Sequence, residues 1–196
     1  GWGRGITHPG MPFNQPMLFP TELTLKQTFD GLRLCPTPIK EISSLHTNSQ
    51  TLENKVLKAN AGLSVPVNGE AVHVIAEFEK GDAQFGINVL GYELAYNDLI
   101  GEFTTLLKAP ANVADYVKPN SENFKIEAIV DKNILEVFVN DGELYYVLPF
   151  DAPKNGKIEA FIKGRGGDRK AIVKRMEVHE LKPIWNDSGN VAIKNN

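Results

Sequence analysis

A chain of 196 residues with 21 Lys and Arg against 24 Asp and Glu carries a formal net charge of -3, which excludes the basic surface of a nucleic-acid binder. Its single cysteine, Cys35, cannot pair within the chain, so no disulfide scaffold holds it, and at this length none is needed, because such a fold buries about 70% of its unfolded surface. No apolar run approaches the roughly 20 residues of a membrane-crossing helix, and no signal-peptide pattern is present, so neither nucleic acid nor a membrane is an expected partner.

The first 20 residues, "GWGRGITHPGMPFNQPMLFP", carry four prolines and four glycines together with Trp2, Phe13, Met17 and Phe19. Proline excludes a regular helix or central strand, while the large apolar side chains argue against a free tail. The segment therefore reads as a linker that packs, and Trp2, Phe13, Met17 and Phe19 are candidate contacts to another domain or to a second copy. The opening "GWGRGITHPG", with its first methionine at position 11, reads as part of something longer.

From Thr21, "TELTLKQT" places Leu23 and Leu25 on one face. "DG" at 30–31 then turns the chain, and "LRLCPTP" returns it, which is a hairpin signal. The apolar neighbours of Cys35 indicate a buried thiol rather than a nucleophile. "IKEISSLHTNSQTLENK" is the most polar stretch, and its spacing of Ile39, Ile42 and Leu45 allows a helical turn or an irregular connection. Beyond it come short alternating runs: "AVHVIAEFEK", "QFGINVLG", "YELAYN", "FKIEAIVD", "ILEVFVN", "ELYYVLPF", "KIEAFIKG" and "KAIVKRMEVHEL". Each is bounded by Asp, Asn, Gly or Pro. The pattern predicts an all-β fold, a sandwich or barrel, and no repeat at a fixed period suggests a propeller within these residues. "KGRGGDRK" at 163–170 reads as a hairpin loop.

Motifs that carry chemistry are few. His8, His46, His73 and His179 lack the spacing that brings two imidazoles to one metal, and they read as separate surface or satisfied histidines. No phosphate-binding loop and no G-x-S-x-G elbow occurs, and no cofactor or metal is expected. The acids of "ILEVFVNDGELYYVLPF" invite a catalytic reading, but Glu136 shares its strand face with Ile134 and Phe138, while Asp131 and Asp141 occupy the turns. Nothing in that arrangement forces two carboxylates to flank one bond at about 5–9.5 Å, as glycosidase chemistry requires. Asn140, Asp141 and Gly142 are explained by the positive φ of a tight turn.

Three segments, "MPFNQPMLFPTELTL" at 11–25, "LEVFVNDGELYYVLPF" at 135–150 and "VHELKPIW" at 178–185, resemble the C-terminal module of family 32 glycoside hydrolases, the levanases, inulinases and invertases. "FGINVLGYELAYN" and "IVDKNILEVFVNDG" follow that module's strand order, so the resemblance covers nearly the whole chain up to Trp185. It implies a β-sandwich of two antiparallel sheets, of jelly-roll, lectin-like or concanavalin-like type, following a five-bladed propeller that holds the active site. The family's catalytic acids lie in W-M-N-D-P-N-G-like, R-D-P and E-C motifs, none of which occurs here; no Asp precedes a Pro, and Cys35 follows Leu34.

The implied organisation is a linker and propeller remnant at 1–20, a sandwich at 21–185 and a tail at 186–196. The implied role is that of a non-catalytic companion to a fructan-hydrolysing domain, outside the cytoplasm. That companion would stabilise the propeller, and it would shape access to fructan or sucrose or mediate homo-oligomer formation. An alternative is an autonomous lectin-like module that presents Tyr92, Tyr96 and Trp185 to sugar rings.

Overall fold

The computed structural model describes residues 17–58, 62–81, 83–106, 112–118, 122–164 and 170–184. The segments 1–16, 165–169 and 185–196 lie outside that description, and with them Trp2, Phe13 and Trp185. The strands flanking the expected hairpin loop at 163–170, Asn155–Lys163 and Lys170–Leu181, lie in different sheets, so they do not pair as a hairpin and that expectation is corrected.

Fourteen strands account for most of the described residues. A first hairpin, β1 (Thr21–Thr28) and β2 (Gly31–Pro38), forms a sheet of its own, and one turn of 3-10 helix at Lys40–Leu45 follows it. Then come β3 (His46–Lys58), β4 (Leu63–Asn68), β5 (Ala71–Glu79), β6 (Gln84–Val89), β7 (Tyr92–Asn97), β8 (Glu102–Leu106) and β9 (Asn112–Tyr116). The last five are β10 (Asn123–Asp131), β11 (Ile134–Val139), β12 (Leu144–Pro149), β13 (Asn155–Lys163) and β14 (Lys170–Leu181). Two antiparallel six-stranded sheets result: sheet I in the order β12-β11-β10-β5-β14-β3, and sheet II in the order β4-β13-β6-β7-β8-β9. The fold is the expected all-β, two-sheet sandwich.

Alternation produces this arrangement. On β5, Val72, Val74, Ala76 and Phe78 are fully buried between the sheets, and Phe124, Ile126, Ala128 and Val130 of β10 face the same way. Sheet II answers with Phe85, Ile87 and Val89, with Leu94 and Tyr96, and with Ile158 and Ala160. An aromatic cluster lies between the sheets, where Tyr96 stacks on Phe124 at 3.7 Å between ring centroids and Phe85 meets both edge-on. On β14 the pairing with β5 slips between Val173 and Arg175. That bulge lets Val173, Met176 and Val178 all point inward although their spacing is not a strict two.

The polar stretch after Ile39 resolves into the single 3-10 turn and the 13-residue strand β3. It is polar because β3 is the edge of sheet I, pairing only with β14, and hydrophilic side chains keep such an edge from recruiting other strands.

The outer face of sheet I is not left to solvent. Ile42 of the 3-10 turn packs with Ile129 and Phe138 in a second apolar cluster, joined by Phe19, Tyr145 and Leu181. Residues 17–46 thus form a strap across this face, closed at the hairpin base by the Ile39 N–H donating to the Pro20 carbonyl at 3.2 Å.

Candidate functional site

Of the acids singled out around the β11–β12 hairpin, Glu136 and Asp141 serve the strap. Glu136 is 2% exposed, and both carboxylate oxygens are occupied: the Phe19 N–H donates to Oε1 at 2.7 Å and the Tyr145 hydroxyl donates to Oε2. Burial raises the pKa of Glu136, and these two donors oppose the rise. On the neighbouring strand β10, Lys125 lies 3.1 Å from Glu127 and 2.7 Å from Asp141. Burial works against the Lys125 charge, but Glu127 and Asp141 outweigh it and raise its pKa. Burial opposes the two carboxylates as well, yet His73 and Lys125 hold Glu127 low, and Lys125 and Lys26 hold Asp141 low. The β11–β12 turn forms as expected, with Asn140, Asp141 and Gly142 all at positive φ.

The hairpin is amphipathic in the reverse of the usual sense. Lys26 and Arg33, paired across it, turn toward the body, where they donate to the carbonyls of Asp141 and Glu143 at 2.9 and 3.2 Å. Cys35, on that same inner face beside Thr24, is fully buried, and burial raises its thiol pKa. The opposite face presents Leu23, Leu25, Leu32 and Leu34, each 58–67% exposed. Where this face meets the sandwich a cleft of about 480 Å³ opens, walled by Leu18, Phe19, Leu23, Leu34, Pro36 and Tyr145, with Arg33 and Glu143 also on its wall.

The expected contact residues divide. Met17 is 74% exposed, next in sequence to Leu18 of the cleft wall, whereas Phe19 is half-buried in the strap's own apolar cluster. Tyr92 and Tyr96, read as candidate sugar contacts, are 4% and 2% exposed: both rings point between the sheets, Tyr96 against Phe124 and Tyr92 edge-on to Phe150. Neither offers a ring face to a ligand, so these two assignments are corrected. Their strand alternates, and its inward parity includes both tyrosines and Leu94.

The histidines require a second correction. His46, His73 and His179, far apart in sequence, are brought together because β3, β14 and β5 are neighbours, with His73 opposite His179 in register. His46 stacks on His179 at 3.8 Å, and its Nε2 lies 2.9 Å from His73 Nδ1. Sequence spacing could not reveal a contact made across strands. Among the described residues, no group of three or more His, Cys, Asp or Glu side chains could hold a metal ion.

These features define a class of protein: a two-sheet antiparallel sandwich bearing a strap and an outward-facing apolar hairpin. The chain belongs to glycosyl hydrolases family 32, since the model described as "Glycosyl hydrolases family 32 C terminal" matches residues 41–180. It is 26% identical to a levanase of Bacillus subtilis (strain 168), over 94% of this chain and 30% of that protein. To a levanase of Bacillus sp. (strain L7) it is 24% identical, over 95% of this chain and 22% of that protein. The chain therefore spans less than a third of the length of either levanase. Among solved structures, it resembles exo-inulinase from Aspergillus awamori, with a TM-score of 0.70 at 17% identity over 91% of this chain and 38% of that one. It also resembles the β-fructofuranosidase from Schwanniomyces occidentalis, with a TM-score of 0.69 at 15% identity over 88% and 42% of the two chains.

Proposed function

We propose that this chain is the non-catalytic companion sandwich of a fructan-hydrolysing enzyme, and that the leucine face of the β1–β2 hairpin, with its adjoining cleft, docks against the catalytic domain. The observation that carries the reading is the reversed hairpin, whose charged face turns to its own body while Leu23, Leu25, Leu32 and Leu34 turn away. Burying four leucine side chains against a partner removes apolar surface worth about 1.5–3 kcal/mol for each one fully covered, which is enough to stabilise a joined domain. The levanase relatives, more than two thirds of whose length lies outside the matched part, support a larger parent.

In this reading the partner is the five-bladed propeller implied by the family resemblance. The substrate, levan, inulin or sucrose, belongs to that partner, and the place of action is outside the cytoplasm. The lectin-like alternative loses support with the burial of Tyr92 and Tyr96.

The test joins this chain to the catalytic domain of its parent and compares Leu25→Ser/Leu34→Ser with the unchanged protein. The expected result is a lower melting temperature for the joined protein and little change for this chain alone, which shows no turnover of levan, inulin or sucrose. Equal melting of both joined proteins, or turnover by this chain in isolation, overturns the reading.

A further inference from the structure

Three imidazoles gather beneath the strap at the junction of the 3-10 turn and β3. His46 stacks on His179 with ring centroids 3.8 Å apart and planes 8° from parallel, and His73 lies 5.2 and 5.9 Å from them. Their surroundings are specific. From β10, Glu127 Oε1 lies 2.9 Å from His73 Nε2, and its other oxygen is held by Lys125, which also holds Asp141 of the β11–β12 turn. From β14, Glu177 lies 3.3 Å from His179 Nε2, and from β3, Ser49 Oγ lies 2.7 Å from His179 Nδ1. The 3-10 turn contributes only apolar Ile42 as a buried side chain.

Proton positions follow from the partners. Glu127 as a carboxylate only accepts, so His73 Nε2 donates to it. The Nδ1 of a neutral His73 then accepts, and His46 Nε2 must donate across the 2.9 Å between them. This pair can take up one proton at His46 Nδ1, which leaves the hydrogen bond between the two rings intact. A second would set two N–H groups face to face. Charge on His46 would also sit within 4 Å of His179, inside a largely buried stack.

We propose that this histidine row is an acid-sensitive latch, fastening residues 39–46 and the hairpin base to sheet I while His46 and His179 are neutral and releasing them as those two rings charge. What it fastens is visible in the contacts: Ile42 on Ile129 and Phe138, the Lys182 N–H to the Leu45 carbonyl at 2.9 Å, and the Ile39 N–H to the Pro20 carbonyl. The sign follows from linkage. Burial first, then the neighbouring His179 and His73, lower His46 to about 4, and burial with His73 lowers His179, so the closed strap binds fewer protons than the open one. Its closure is fully stable above the ordinary histidine value of about 6.5 and weakens as pH falls from there toward 4. Glu127 and Asp141, both held below their ordinary values, stay charged through most of this window. The latch does not depend on what docks on the hairpin.

The experiment is amide hydrogen exchange of the whole 196-residue chain at pH 7.0 and 4.5, corrected for intrinsic rates, comparing residues 39–46 with β10. Protection of 39–46 relative to β10 is expected to fall on the order of tenfold to a hundredfold at the lower pH, since one ring released from about 4 to its ordinary value shifts the opening equilibrium by that much. His46→Phe and, separately, His179→Phe keep a stacked ring without its proton and are each expected to reduce that fall. An unchanged ratio between the two pH values overturns the proposal. So does a fall of the same size in the unmodified chain and in both variants.

Discussion

Gly142 lies against Pro36 so closely that a β-carbon on it would stand 2.1 Å from the Pro36 carbonyl oxygen and 2.9 Å from the Pro36 nitrogen. Its φ of +87° adds a second constraint, because an L side chain is strained there whatever the space. The turn between β11 and β12 is therefore also the seat of the β1–β2 hairpin. Gly142→Ala is expected to cost about 1–3 kcal/mol and to loosen the hairpin before the sandwich. Urea unfolding reads the first effect, and the rate of proteolytic cleavage within 21–38 reads the second. A variant as stable and as resistant as the unmodified chain would show that the hairpin is seated elsewhere.

Glu136 anchors the other end of the strap. Replacing it by Leu leaves the Phe19 N–H and the Tyr145 hydroxyl without their acceptor and is expected to cost about 1–3 kcal/mol, the penalty for stranding buried polar groups. Glu136→Gln separates charge from shape. Because the folded pKa of Glu136 is raised, the folded state holds this proton more tightly, so stability is greatest below the ordinary value of 4.5 and is lost as pH rises through the raised value. The glutamine variant has no such loss. Its stability relative to the unmodified chain should therefore improve between pH 4.5 and 7, as read by urea midpoints across that range.

Lys125 behaves with the opposite sign. It holds Glu127 and Asp141 below their ordinary pKa values, and these contribute stability that is present above about pH 4 and lost as pH falls through the lowered values. Lys125→Met keeps the aliphatic stem and removes the charge. At pH 7 it should cost about 2 kcal/mol, because two partly buried carboxylates lose their shared donor. At pH 3 the variant and the unmodified chain should differ much less. An equal deficit at both pH values would assign the loss to packing alone.

How far the sequence anticipates this structure depends on whether a feature is written along one strand or across several. The alternation of Val72, Val74, Ala76 and Phe78 places that strand's core face directly, and Asn140-Asp141-Gly142 names its own turn. The buried Cys35 was equally readable from its apolar neighbours. Tyr92, Leu94 and Tyr96 share one face of an alternating strand, but aromatic rings suit both a core and a sugar face, so the sequence alone left their destination open. The histidine row was not readable at all. His46, His73 and His179 meet only because β5, β14 and β3 pair in that order, and strand order is set by long-range packing rather than by local pattern. The hairpin lies between these extremes, since the alternation of Leu23 with Leu25 is plain in the sequence, while the direction in which they point is decided by Lys26 and Arg33 binding back to the turn.

The aromatic core gives the sharpest test of the sandwich itself. Phe124 stacks on Tyr96 and meets Phe85 edge-on and Phe103 at 6.1 Å, so three rings from sheet II converge on one side chain of sheet I. Phe124→Ala removes the shared member and leaves a cavity that no single neighbour can fill, for an expected loss of about 3–5 kcal/mol. Tyr96→Phe keeps the stack and removes only a hydroxyl whose bond to the Val117 carbonyl is long, at 3.4 Å, and should cost no more than about 1 kcal/mol. The stabilities of these two variants and of the double variant form a cycle. With the rings in contact, the Tyr96→Phe effect is expected to shrink once Phe124 is gone, because the phenol is then free to shift into the cavity. Strict additivity would instead place the two rings in separate packing units, which the 3.7 Å stack contradicts.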